Sequence, residues 1–179
     1  MAAVAITVLI VDILSKQWAD GLKRCAEMAS HPVIGFCLAY NEGMAFSVGW
    51  GSGILISTVA VGIVVVLVIA ARNVPLYPRL LMGLVAGGAL GNVLDRAFRA
   101  PAPPLDGSAA AAKHFMGGAV VDFIYTNFWA TFNVADSCIV VGGILLAIAL
   151  WRLPDPEPKP SGPPPGNGAS DDEPASVSP

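Results

Sequence analysis

The chain has 179 residues, 55% of them hydrophobic and 13% charged, against roughly 25% charged in an ordinary soluble domain. The deficit points to lipid as the main solvent, and a net charge of −3 supplies no basic field for nucleic acid, which is excluded as a partner. The three cysteines, Cys25, Cys37 and Cys138, form no metal-binding spacing and no evident disulfide framework. Cys138, in an apolar run, reads as a small buried hydrophobe.

Taken in chain order, the first apolar stretch covers about residues 2–20. It is apolar through residue 11 apart from Thr7, and is then interrupted by Asp12 and Lys16. No basic region precedes it and no A-x-A site follows in DGLKRCAEM. Arg24 stands where a lipid-modified cysteine would need a small residue, so the stretch reads as a retained helix. Residues 21–51 form a longer loop whose FCLAYNEGMAFSVG suits a short sheet or interfacial structure. The second stretch, about 52–71, has no charge at all. RNVPLYP (72–78) is a short turn with two prolines. The third stretch, about 79–98, ends in GNVLDRAF, and its Gly83, Gly87 and Gly91 recur every four residues, a spacing that favours close helix packing. Residues 99–117, RAPAPPLDGSAAAAKHFMG, make an exposed connection; PAPP argues against helix at its start, while AAAAKHF suits a short interfacial helix. The fourth stretch covers about 134–152. Each stretch approaches the roughly 20 residues that cross a hydrocarbon core. Beyond Arg152 the chain is Pro-rich, acidic and of low complexity, the composition of a disordered tail. The expected organisation is a membrane domain over 1–152 and a tail over 153–179.

Four spans place both termini on one side. Arg72, Arg79, Arg152 and Lys159 would share that side, against Lys23, Arg24, Arg96, Arg99 and Lys113 on the other. The totals do not decide, but Arg72 and Arg79 fall in a very short loop, and that density favours cytoplasmic termini. The outer half of the molecule then collects the charges that a membrane helix tolerates least: Asp12 and Lys16, then Asn92, Asp95 and Arg96, then Asp136, with Asp122 just before it in GGAVVDFIYTNFW. Simpler readings stand beside the functional one. Asp12 and Lys16, spaced i,i+4, fit an ion pair. Asp95 and Arg96 fit a solvated helix end with a snorkelling arginine, and Asn41 fits a turn residue before Glu42 and Gly43. Asn133 and Asp136 fit a capping box. Asp122, between apolar neighbours and with no cap pattern, has no such ready explanation.

No Ser–Lys or Ser–His pattern is present, the two histidines, His31 and His114, lie in loops, and HExxH and C-x-x-C are absent, so metal-peptidase ligands are missing. What remains is a pair of carboxylates, Asp122 and Asp136. Two acids sharing a site hold one proton between them; the ionised member can activate a water while the protonated member polarises a carbonyl.

Five blocks, in order, resemble the lipoprotein signal peptidase (signal peptidase II) family along most of residues 5–152: VDILSK, NEGMAF, GGALGNVLDR, GAVVDF and FNVAD. The resemblance implies an all-α integral membrane protein of four transmembrane helices with a small extracytoplasmic β-cradle. It implies a catalytic dyad of Asp122 and Asp136, with Asn133 in support and Asp12, Lys16, Asn41, Gly43, Asn92 and Arg96 as a polar, substrate-binding shell. The implied activity removes the signal peptide from diacylglyceryl-modified bacterial prolipoproteins, on the N-terminal side of the lipidated cysteine, without cofactor or metal. Implied with it are membrane lipids as surroundings, a monomer, and a multi-pass location in the bacterial inner membrane with the active site outward and cytoplasmic termini. The 99–117 connection is longer than the family leads one to expect, and so is the tail. A small transporter is the main rival from hydropathy alone, but no inverted repeat is visible and the polar groups gather at one face, not at the midplane. A non-enzymatic membrane chaperone is a second rival; it would tolerate Asp122→Asn.

Overall fold

The structure, a computed structural model, describes residues 1–28, 32–43, 52–109, 112 and 115–153. The expected disordered tail, the interfacial helix expected at AAAAKHF, both histidines and the MAF end of the NEGMAF block lie wholly or partly outside these residues.

Four helices are long and apolar enough to cross a membrane: α1 (Ala2–Ala19), α2 (Ser52–Ala70), α3 (Leu76–Phe98) and α4 (Val134–Trp151). At about 1.5 Å per residue each approaches the thickness of a hydrocarbon core, and helices satisfy their own backbone polar groups there. Their best windows have mean hydropathies of 1.5, 2.9, 1.2 and 2.2. The two lower values belong to α1 and α3, the helices that carry the buried charges. α3 begins three residues earlier than the apolar pattern indicates, at Leu76, and takes up the end of the expected 72–78 turn. Pro75 is its N-cap, and Pro78 falls in the first turn, where a helix needs no N–H partner and tolerates proline.

The bundle inverts the soluble pattern. On α1, Ile6, Ile10 and Leu14 are more than half exposed, whereas Val8, Asp12, Lys16 and Ala19 are buried on the opposite face. α2 likewise turns Leu55, Val59 and Val66 outward. Lipid accepts such apolar faces, and the interior is left for small and polar groups. The central helix is α3, which packs against α1, α2 and α4. The glycines expected to allow close packing do so. A Cβ at Gly87 would lie 2.6 Å from the Ala5 carbonyl oxygen, one at Gly83 would lie 2.6 Å from that of Met1, and Gly91 faces the Asp12 carboxylate. Gly88 seats the Ala135 carbonyl of α4 in the same way.

Between the helix ends lies a three-stranded antiparallel sheet in the order β1 (Ile34–Asn41), β2 (Val120–Thr126), β3 (Trp129–Phe132). It is the expected small sheet, and β2 and β3 form a hairpin that runs directly into α4. Two apolar clusters flank the bundle: Ala71, Leu81, Met82, Leu146 and Ala149 at the end away from the sheet, and Ala19, Leu38, Val121 and Phe123 beneath it. Trp18 joins the sheet to α1 through edge-on contacts with Phe36 and Phe123.

The absence of an evident disulfide framework is corrected by the structure. Cys25 and Cys37 are disulfide-bonded, which ties the single 3-10 turn after α1 (Cys25–Glu27) to β1. Two cysteines 12 residues apart carry no spacing signal, because connectivity is set by the fold and not by the interval. Cys138 is free and half-buried.

Candidate active site

The inward face of α1 delivers two charges one helical turn apart. Lys16, 1% exposed, places Nζ 2.7 Å from Asp12 Oδ2 and 2.8 Å from Asp95 Oδ2, and donates to Asn92 Oδ1 at 3.1 Å. The i,i+4 ion pair therefore exists, but it is one part of a larger network. The other Asp12 oxygen accepts the Ala135 backbone N–H at 3.0 Å, so α1 fixes the first turn of α4.

α3 presents Asn92, Asp95 and Arg96 near its C-terminal end, with Arg99 as its C-cap. Asp95 and Arg96 are 8% and 6% exposed, so the solvated-end reading fails for both. Besides Lys16, Asp95 binds Arg99 Nε at 2.8 Å and accepts the Val121 N–H at 3.3 Å. It thereby joins α1, α3 and β2. Arg99 continues outward to Asp20 at 3.0 Å. Among the described residues the Arg96 guanidinium donates to the Asn92 carbonyl at 3.4 Å, and its Nε has no partner.

β2 carries Asp122, and the end of β1 carries Asn41, whose Nδ2 donates to Asp122 Oδ2 at 3.1 Å. Asn41 is also a turn residue: its Oδ1 accepts the Gly43 N–H at 2.8 Å. Gly43 has φ +85°, the left-handed region that favours glycine. The two readings of Asn41 are the two ends of one side chain.

Asn133 joins everything. It is fully buried and is the N-cap of α4, in a complete capping box with Asp136: Asn133 Oδ1 accepts the Asp136 N–H at 2.9 Å, and Asp136 Oδ2 accepts the Asn133 N–H at 3.3 Å. Its Nδ2 meanwhile donates to Asp122 Oδ1 at 2.7 Å, and more weakly to Asn92 Oδ1 and the Val121 carbonyl. Asn92 Nδ2 closes the ring on Asp136 Oδ1 at 2.7 Å. The capping geometry and the union of the two acids thus come from the same residues.

Asp122, outside the helices and 3% exposed, has its carboxyl pushed up to about 7. Burial is the main cause and the nearby Asp136 charge the second; the hydrogen bonds from Asn41 and Asn133 and the Lys16 charge act in the opposite sense. Lys16 pairs with Asp12 and Asp95, Arg99 with Asp95 and Asp20, and Arg96 lies near Asp95, Asp122 and Asp136.

All nine expected site residues are in this region. Asp12, Lys16, Asn41, Asn92, Asn133, Asp122 and Asp136 form one continuous hydrogen-bonded and ion-paired network, Gly43 shapes the Asn41 turn, and Arg96 borders the network through Asn92. Sequence reasoning missed Asp95 as a junction, and Arg99 and Asp20 beyond it. The i,i+4 spacing of Asp95 and Arg99 was the available signal.

The family model for signal peptidase (SPase) II matches residues 4–152. The lipoprotein signal peptidase of Mycobacterium leprae is 36% identical over 153 residues, covering 83% of this chain and 69% of that protein. That of Streptomyces griseus is 35% identical over 162 residues, 88% of this chain and 76% of that protein. A solved bacterial membrane enzyme superimposes with a TM-score of 0.65 at 27% identity, covering 84% of this chain and 91% of the other. With four spans, a small sheet and this match over most of its length, the chain belongs to the signal peptidase II family and is a membrane peptidase of the aspartic type.

Proposed function

We propose that Asp122 and Asp136 are the catalytic dyad with which this peptidase cuts diacylglyceryl-modified prolipoproteins on the N-terminal side of the lipidated cysteine. The observation that carries the assignment is Asn133, which binds the Asp122 carboxyl through Nδ2 and is capped reciprocally with Asp136. Burial and the Asp136 charge favour Asp122 as the member that holds the proton. Asp136, ionised, takes a proton from water as its oxygen attacks the scissile carbonyl carbon. Asp122 donates its proton to the developing oxyanion. Collapse of the tetrahedral intermediate re-forms the carbonyl and breaks the C–N bond; the hydroxyl proton returns to Asp122, and the proton that Asp136 took from water goes to the leaving nitrogen. Asn41, Asn92 and Asn133 orient the carboxyls, while Arg96, a buried cation with an unused donor, is available to a substrate carbonyl. Asp12, Lys16 and Gly43 hold these groups in place.

The orientation proposed is an outward-facing site with cytoplasmic termini in the bacterial inner membrane. Arg72 in the short α2–α3 loop and Arg79 in the first turn of α3 support it. So does the Cys25–Cys37 disulfide on the opposite side, since disulfides persist in oxidising compartments.

The test uses purified protein in detergent with a diacylglyceryl-modified prolipoprotein, measuring signal-peptide release. Asp122→Asn and Asp136→Asn should each fold, bind substrate and lose nearly all turnover. The double variant should be scarcely worse than either single one, because residues acting as a unit are not additive. If Asp136 serves only as a helix-start carboxylate, Asp136→Asn would cost at most ~2 kcal/mol of stability and leave turnover near normal. Substantial turnover in either folded single variant would overturn the dyad.

A further inference from the structure

The disulfide lies beside an irregularity in β1. Ile34, Gly35 and Phe36 pair with Thr126, Tyr125 and Ile124, while Ala39, Tyr40 and Asn41 pair with Asp122, Val121 and Val120. Two residues of β1, Cys37 and Leu38, therefore stand opposite Phe123 alone: a β-bulge. Both are buried in succession, against the alternation earlier in the strand. A bulge of one residue decides which side chains share a face, because a one-residue slip in register turns every side chain over. Without it, Tyr40 would stand opposite Val120, on the Asp122 face, and Asn41 would turn to the other face. The Asn41–Asp122 hydrogen bond thus depends on the bulge.

Both bulge residues are held from outside the sheet by the segment after α1. The Leu38 N–H donates to the Lys23 carbonyl at 2.9 Å, and Leu38 bridges Arg24. Cys37 is bonded to Cys25. The Arg24 guanidinium lies over the Tyr40 ring, 5.5 Å from its centre.

We propose that Cys25 and Cys37 are a positioning pair for catalysis: their disulfide locks the β1 bulge and so sets Asn41 against Asp122. This rests on Asp122 being a member of the dyad. Without the crosslink, the segment after α1 holds this part of β1 through the Arg24–Leu38 bridge with its Lys23–Leu38 hydrogen bond and the Arg24–Tyr40 contact; none is covalent, and the bulge can migrate or slip, withdrawing the Asn41 donor from the reacting carboxyl.

The test compares the oxidised full-length protein with Cys25→Ser/Cys37→Ser, and with wild-type protein reduced by dithiothreitol. In the reduction the reagent's two thiols become a disulfide as Cys25 and Cys37 become thiols, and a thiol count verifies it. Both thiol-state changes should lower kcat about tenfold, the scale of one charge-assisted hydrogen bond, and leave KM nearly unchanged. The basic limb of the pH–rate profile should move upward, as it should in Asn41→Ala, because a donor to the ionised carboxyl has been lost. Adding Asn41→Ala to the Cys25→Ser/Cys37→Ser protein should cost no further activity, and re-oxidation of the reduced wild type should restore it. A folded double-serine or reduced protein with unchanged kcat and pH profile, and only a lower melting temperature, would overturn the proposal. Loss of folded protein in every reduced form would overturn it equally, since the crosslink would then serve the whole fold. Asp122→Asn run in parallel separates the failures: if that variant turns over, the dyad fails; if it is dead while the reduced enzyme is unaffected, only the positioning role fails.

Discussion

Asp122 sets the pH response. Its carboxyl is raised from the ordinary range to about 7, so the folded protein binds a proton that the unfolded chain releases at a much lower pH. Stability contributed by this group is therefore lost as pH rises from about 4 to about 7, the opposite of a salt-bridged aspartate. Asp122→Asn should melt higher than wild type above pH 7, with the gap closing in acid; a scan of melting temperature against pH checks this. Turnover should decline on the basic side with a midpoint that belongs to the pair. Lys16 differs in kind. It joins Asp12, Asp95 and Asn92, and its removal leaves buried carboxylates uncompensated, a loss of about 3–5 kcal/mol. Lys16→Ala should reduce folded yield and melting temperature before it affects chemistry; a stable but wholly inactive variant would give Lys16 a direct role. The convergence of these residues was legible in sequence because charges cannot stay unpartnered in lipid. Asp95 escaped because a solvated helix end was a sufficient account of it, and only burial shows that it grips β2.

Among the elements, α3 and the end of β1 bear most of the constraint. The four-residue glycine repeat in α3 correctly announced close packing, and the Pro-containing turn before it hid the true start of the helix, since proline is read as a breaker yet is accommodated in a first turn. The sheet was legible as a small structure over 21–51, but its pairing with β2 was not. Strand register depends on the bulge at Cys37 and Leu38, and no local pattern records a partner 80 residues away. The turn after β1 offers a direct check. Gly43 at φ +85° supports the Asx turn that aims Asn41, and alanine there costs about 1–2 kcal/mol of backbone strain. Gly43→Ala should lower kcat and shift the pH profile in the direction expected for Asn41→Ala, with little change in overall helicity by circular dichroism.

For the whole molecule, every residue of the candidate site precedes Arg152. A chain ending there should insert and cleave at the full rate per folded molecule; a lower specific activity would give the tail a part in the reaction. Topology can be checked by thiol labelling with little disturbance, because Cys25 and Cys37 are already joined and only Cys138 is free. A cysteine placed in the 153–179 segment, in a Cys138→Ser background, should react only after the cytoplasmic side is opened, and outer labelling would reverse the orientation.

The burial of Lys16 also dictates an order of assembly. Chains emerge from the ribosome N-terminus first, so α1 reaches the bilayer with Asp12, and Asp20 at its exposed end, as the nearby counter-charges for Lys16. Asp95 follows 79 residues behind it, and the Ala135 amide that engages Asp12 comes later still. α1 therefore enters lipid as a poorly compensated helix and gains its partners only when α3 docks along the glycine seam. Because Asp136 lies on the last span, the two acids cannot meet until synthesis of the membrane domain is nearly complete. On the proposed dyad, a half-made chain would have no peptidase site with which to attack its neighbours, a delay that would follow from the order of the spans.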